Sequence, residues 1–259
     1  MRILISNDDG ILAPGLAALR ACVADLGEVT VVAPDSAQSA AGHAITLKHP
    51  LSVQEVHVEA GDRSFSGLSV DGRPADCVRL AIRELMAEPP DIVLAGLNAG
   101  ANVGVNIFYS GTVAAAAEAA MCGIPAVAFS AEIVGGQVDF AAAARLCRWV
   151  LDNLLQEELS DREVINVNVP ELGRGRPAGV RVVRQSTADL EDVYRAAAGS
   201  GGRRHFRLVE HYGFGPAAAG TDVAALAEGY ITVTPLQVDM TEHGRLEVLA
   251  ARPWPDMPG

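Results

Sequence analysis

Short apolar runs alternating with helix-length segments constrain this chain more than any other feature. The runs are Ile3–Ile5, Val29–Val32, Ile92–Ala95, Ala126–Phe129 and Val164–Val169. Between the first two, Leu16, Leu19, Val23 and Leu26 recur at helical spacing until Gly27. Asp76 to Met86 puts Cys77, Val78, Ala81, Ile82, Leu85 and Met86 on one helical face and Arg79, Arg83 and Glu84 on the other. Ala-rich Thr112–Cys122 is closed by Gly123 and Pro125, and Asp139–Leu155 is long enough for a further helix. Strands buried on both faces and joined by helices predict an α/β fold with a mostly parallel sheet covered on both sides. A polar loop, Asp35 to Gly42, and a β-rich stretch to about Ser69 interrupt the rhythm.

The rhythm stops near residue 170. Val180–Val183 and Tyr230–Thr234 read as strands, and Thr221–Glu228 as a short helix with Thr221 at its N-cap. Gly199–Gly202 is a flexible polar break from which an arm could leave its own core. The expectation is a catalytic core over 1–170 and a β-rich C-terminal extension over 171–259, partly completing the core and partly an oligomerisation arm. Apolar stretches outside the main sheet, Leu246–Ala250 among them, must find cover.

Charge and cysteine usage narrow the partners. A formal net charge of −12 argues against nucleic-acid binding, which wants a basic footprint. A small anion could bind only with local help from a metal ion or backbone N–H groups. The four cysteines, Cys22, Cys77, Cys122 and Cys147, form no CxxC pair and read as reduced thiols. Met1-Arg2-Ile3-Leu4-Ile5 runs directly into Asp8 and Asp9, unlike a signal peptide, and the apolar stretches are too short or too interrupted to span a bilayer. The expected location is the cytoplasm, with no membrane partner.

Ligands of open parallel sheets bind outside the carboxyl ends of the strands. Three polar loops sit at such ends: Asn7–Gly10, Asp35–Gly42 and Gly96–Ser110. The adjacent carboxylates Asp8 and Asp9 repel each other unless something positive lies beside them, and a divalent cation serves. Gly10 permits the turn that lets both face one site. The alternative is that one caps the following segment while the other is solvated. The second loop adds Ser36, Gln38, Ser39 and His43, and the third Asn98, Asn102 and Asn106. Such oxygen donors suit Mg²⁺ or Mn²⁺ better than zinc, although each Ser or Asn alone could be a turn residue. Ser110-Gly111-Thr112 precedes the Ala-rich helix, where backbone N–H groups can hold a phosphate, or where Ser110 is an ordinary N-cap. Neither GxxxxGK[ST] nor GxGxxG is present.

Longer motifs carry a resemblance. ILISNDDGILAPGL from Ile3, VVAPDSAQSAAGHAITL from Val31, GRPADCVRLA from Gly72, GLNAGANVGVNIFYSGTVAAAAEAAMCGIPAVAFS from Gly96 and TDVAALAEGYITVTPLQVDMT from Thr221 together resemble the SurE family of stationary-phase 5′-nucleotidases. The resemblance implies a Rossmann-like core and a divalent-metal-dependent phosphomonoesterase acting on nucleoside 5′-monophosphates. It puts one Mg²⁺ or Mn²⁺ per subunit on Asp8, Asp9, Ser39 and Asn98, with Asp8 and Asp9 catalytic. Asn98, Asn102, Ser110, Gly111 and Thr112 fall on the phosphate side. It further implies a homodimer or homotetramer with exchanged C-terminal segments, the alternative being a C-terminal subdomain folded back on its own chain. Asp239 and His243, four apart in a stretch the family shares, could form a pair that fixes the arm or sit in a solvated turn. Val105-Asn106, Glu118-Ala119 and the stretch 187–206 depart from the family pattern, the last where a base pocket would be shaped. A receiver-type domain would also use an Asp pair with Mg²⁺, but the chain is too long and lacks a lysine at a strand end. A nucleotide-sugar glycosyltransferase or a non-catalytic nucleotide-binding module would not need Ser39 and Asn98 to converge with the Asp pair.

Overall fold

A computed structural model describes residues 1–61, 63–133, 135–190, 193–197, 203–209, 215–255 and 257. The strands are β1 (Arg2–Ser6), β2 (Glu28–Pro34), β3 (Val53–Ala60), β4 (Arg63–Val70), β5 (Ile92–Ala99), β6 (Ala126–Ala131), β7 (Val164–Val169), β8 (Val180–Val182), β9 (Val193–Ala197), β10 (His205–Val209) and β11 (Ile231–Leu236). The helices are α1 (Pro14–Val23), α2 (Pro74–Leu80), α3 (Gly111–Met121), α4 (Phe140–Leu154), α5 (Asp222–Ala227) and α6 (His243–Ala250), with a π turn, Ala81–Leu85, extending α2.

Among the described residues, nine strands form one sheet in the order β3-β4-β2-β1-β5-β6-β7-β11-β8. The run from β4 to β7 is parallel, whereas β3 pairs antiparallel with β4 and β11 antiparallel with β7. This is the α/β architecture expected. Alternation along each strand assigns the two faces. Ile3, Ile5, Leu94 and Phe129 join Leu16 and Leu19 of α1 and Cys147 and Leu151 of α4 in one core cluster. Leu4, Val93, Ala95 and Ala128 join Cys77 and Val78 of α2 and Ala115, Ala116, Ala119 and Ala120 of α3 in the other. Each large aliphatic side chain buried this way contributes about 1.5–3 kcal/mol. The small side chains of α3, from Ala114 to Ala116 and at Ala119 and Ala120, let that helix lie close on the sheet.

Glycine allows a second close approach. A Cβ at Gly15 would stand 2.0 Å from the Leu97 carbonyl oxygen, so only glycine lets α1 meet β5 there. Helix α4 begins where its cap predicts, since the Asp139 carboxylate accepts a hydrogen bond from Ala142 N at 2.9 Å.

Several elements depart from the sequence reading. β5 continues past Ala95 to Ala99, so Asn98 lies on a strand rather than in a loop. β2 runs through Pro34, and α1 stops at Val23, four residues before Gly27. β8 and β11 do not lie outside the main sheet: Ile231 and Val233 belong to its core. Outside it, among the described residues, lie the β9–β10 pair and α6, a helix over a stretch whose sequence, Leu246–Ala250, is simply apolar. Thr221 holds the N-cap position of α5, but its hydroxyl donates to Ala218 O at 2.7 Å instead of capping. Gly199–Gly202 lies outside the described residues.

Candidate active site

The chain leaves β1 through a tight turn that Asn7 builds. Its side chain donates to Gly10 O at 3.0 Å and accepts from Gly10 N at 3.2 Å. Gly10 adopts φ 98°, a conformation that favours glycine. The turn leaves Asp8 buried and Asp9 half-buried at the carboxyl edge of the sheet. Asp8 lies against the first turn of α3. A Cβ on Gly111 would come within 2.6 Å of the Asp8 Cβ, and the Thr112 hydroxyl donates to Asp8 Oδ1. Asp9 Oδ2 accepts a long hydrogen bond, 3.4 Å, from Ala99 N at the end of β5.

Burial raises the pKa of Asp8 above the usual carboxylate range; the Thr112 hydrogen bond opposes the rise, and the charge of Asp9 adds to it. Burial likewise raises Asp9, against the Ala99 hydrogen bond. Two neighbouring carboxylates pushed this way are the environment a cation relieves. The donors nearby are hard. Asn98 donates its Nδ2 to Gly100 O at 2.7 Å, which leaves its Oδ1 as an acceptor. Among the described residues no group of three or more His, Cys, Asp or Glu gathers, so a cation here would rest on two carboxylates and neutral oxygens. The residue types present therefore fit Mg²⁺ or Mn²⁺.

Ser39 is exposed in the loop after β2, one residue from Gln38, whose N–H donates to Asp8 O at 2.7 Å. The phosphate-side residues divide. Ser110 is the N-cap of α3, its hydroxyl accepting from Val113 N at 3.0 Å. Thr112 is fully buried and its hydroxyl hydrogen goes to Asp8. Asn102 is buried in a polar knot: its side chain donates to Ser130 Oγ at 2.8 Å, its N–H to Asn168 Oδ1 at 2.7 Å, and its carbonyl accepts from Asn166 Nδ2 at 2.8 Å.

Supporting residues escaped the sequence reading. Asp222, fully buried at the start of α5, accepts from Gly104 N and Ser186 N, each at 2.8 Å, and so ties the loop after β5 to the C-terminal segment. Asp76 accepts from Thr46 N at 2.9 Å and from Arg73 N at 2.9 Å. An acid in the first turn of a helix hints at the second bond, and nothing local announces the first.

An open, mostly parallel sheet with paired carboxylates and a helix N-terminus at its carboxyl edge defines an α/β protein with an oxygen-rich candidate site at that edge. The family described as Survival protein SurE matches residues 3–192, and the chain belongs to that family. A relative from Syntrophobacter fumaroxidans, named 5′-nucleotidase SurE, is 42% identical over 249 residues, covering 96% of this chain and 98% of its own. Another of that name from Aeromonas hydrophila is 39% identical over 259 residues, covering all of both chains. A crystal structure of the SurE protein from Aquifex aeolicus superposes with a TM-score of 0.81 at 36% identity, covering 96% of this chain and 98% of the other.

Proposed function

We propose that this chain is a 5′-nucleotidase, a divalent-metal-dependent phosphomonoesterase that releases inorganic phosphate from nucleoside 5′-monophosphates. The observation that carries the reading is the Asp8–Asp9 pair, Asp8 buried against the first turn of α3 and Asp9 half-buried at the end of β5, in a chain that matches enzymes of that name along nearly its whole length. Asp8, Asp9, Ser39 and Asn98 would hold one Mg²⁺ or Mn²⁺ per subunit. Such an ion supplies charge neutralisation at phosphate oxygens and eases deprotonation of water.

The residues of the chain divide the remaining work. The Thr112 hydroxyl aims Asp8 and favours its ionised form against the burial that opposes it. Ser110 starts α3 and Gly111 keeps its first turn tight against Asp8, so the positive end of the helix faces the site. A substrate phosphate there meets the helix dipole and the carboxamide side of Asn98, while the knot around Asn102 fixes the loop between them. With a net charge of −12, this local positive field is what admits an anionic substrate.

The test compares phosphate release from adenosine 5′-monophosphate, adenosine 3′-monophosphate and para-nitrophenyl phosphate. The 5′-nucleotide should be cut with the highest kcat/KM. Equal rates on all three would reduce the reading to a general phosphatase.

A homo-oligomer is part of the same proposal. Val193 and Tyr194 of β9, Phe206 of β10, and Leu246 and Val248 of α6 are all exposed, and no residue of α6 is buried. Apolar surface of this extent fits a contact with another copy of the chain. The Asp239–His243 pair, with 3.1 Å between Oδ2 and Nε2, stands exposed at the start of α6. Among the described residues, no helix is long and apolar enough to cross a membrane. A cytoplasmic enzyme is the reading we adopt, in keeping with four cysteines that lie far apart and form no CxxC pair.

A further inference from the structure

One buried charge beside the site has no part in the chemistry above. Glu118 lies in the middle of α3 with 1% of its side chain exposed. Its Oε2 meets His43 Nε2 at 2.8 Å, and its Oε1 accepts from Arg79 Nε of α2 at 2.6 Å. Burial pushes the Glu118 carboxyl up, but the hydrogen bonds of His43 and Arg79 together outweigh it and leave the group below its ordinary range. Glu118 is therefore a fixed anion on a rigid helix, and His43 is the group that reaches it from a loop.

That loop carries Ser39. Its near end is pinned where Gln38 N donates to Asp8 O at 2.7 Å. Its far end is pinned where Gly42 N donates to Tyr109 O at 3.0 Å and where His43 meets Glu118. Between the pins the chain passes through φ 55° at Ala40 and again at Gly42. Left-handed backbone at a residue other than glycine persists only where its surroundings hold it. Ser39 itself is exposed and, among the described residues, makes no side-chain hydrogen bond, so its position depends on these two ends.

We propose that His43 is a positioning residue: its bond to Glu118, which Arg79 holds in place, keeps the 38–43 segment where the Ser39 oxygen can join Asp8 and Asp9 around the cation. The proposal rests on the ligand set given above. Outer partners that orient a metal ligand typically change affinity by about 10–100-fold when removed.

Mn²⁺ binding without nucleotide, read from the electron paramagnetic resonance of unbound Mn²⁺, tests it separately from turnover. His43→Ala should weaken Mn²⁺ binding by about tenfold or more. His43→Gln, whose amide nitrogen falls where Nε2 does, should bind nearly as the original chain. His43→Asn, whose amide matches only Nδ1 and cannot reach Glu118, should behave like His43→Ala and replaces it if that variant does not fold. The deciding arm is Ser39→Ala. In that background, His43→Ala should cost less than about twofold more, because both changes remove the same ligand. An undiminished loss in the Ser39→Ala background, or unchanged binding by His43→Ala, overturns the proposal. If the original chain does not bind Mn²⁺, or if Ser39→Ala leaves its affinity unchanged, the ligand assignment itself falls and the route through Ser39 falls with it.

Discussion

Asp8 and Asp9 are neighbours in sequence but sit in different surroundings. Asp8 is buried beneath the first turn of α3, while Asp9 is half-buried and only weakly bonded to β5. Thr112 is consequently the residue whose loss should be felt most at Asp8. Thr112→Val keeps the volume and removes a hydrogen bond to a charged group, worth about 1.5–3 kcal/mol. Its kcat/KM for adenosine 5′-monophosphate should fall by about ten- to a hundredfold; a value equal to the original chain's would make the hydroxyl irrelevant to the site. Glu118 makes a prediction about pH. Its folded-state pKa lies below the ordinary 4.5, so its ionised form stabilises the fold fully above that value. That contribution is lost as pH falls through the depressed folded-state value. Thermal unfolding followed by circular dichroism should show Glu118→Gln less stable than the original chain at pH 7, with the gap closing below pH 4.5. A gap that widens with acid would contradict the ionised assignment. The Asp pair was legible in the sequence because repulsion between adjacent carboxylates is a local fact. The His43–Glu118 contact spans 75 residues and the Asp222–Gly104 contact 118, and no local rule connects such positions.

Elements were legible where burial on both faces writes a continuous apolar run, as in β1, β6 and β7. They were not where tertiary pairing overrides local signals. Gly96 and Asn98 look like loop residues; the pairing with β6 does break register between Ala95 and Asn98, yet it resumes at Asn98–Ser130 and Ala99–Ala131, which keeps Asn98 on β5. β8 and β11 looked stranded beyond the end of the repeat, yet β7 was unpaired on its outer edge and takes β11 antiparallel. Helix packing supplies its own prediction at Gly15, where an added Cβ would meet the Leu97 carbonyl oxygen at 2.0 Å. That atom is backbone and cannot swing aside, so Gly15→Ala should destabilise the fold by about 1–3 kcal/mol or more. Tm should drop by at least about 2 °C, and an unchanged Tm would mean that α1 and β5 are not packed this closely.

At the scale of the molecule, β11 joins the main sheet while α6 stays exposed, and this decides how assembly should be tested. A chain ending at Gly220 would lose Ile231 and Val233 from the core and would report on folding instead. A chain ending at Val238 removes α6 and leaves the sheet whole. Light scattering at micromolar concentration should give a dimer or tetramer for the full chain and a smaller species for the shortened one. A full chain that scatters as a monomer would contradict the assembly, and an unchanged oligomer in the shortened chain would move the contact to the β9–β10 pair or elsewhere. The central claim, that the carboxylates after β1 hold the cation on which nucleotide hydrolysis depends, is tested most directly by Mn²⁺-dependent phosphate release from adenosine 5′-monophosphate. The chain is first stripped with EDTA, and then compared with Asp8→Asn and Asp9→Asn across a Mn²⁺ titration. The original chain should be inactive when stripped and recover fully with Mn²⁺, while both variants should stay orders of magnitude slower at limiting metal and keep their fold. Undiminished release by the stripped chain, or by either variant at limiting Mn²⁺, would contradict it.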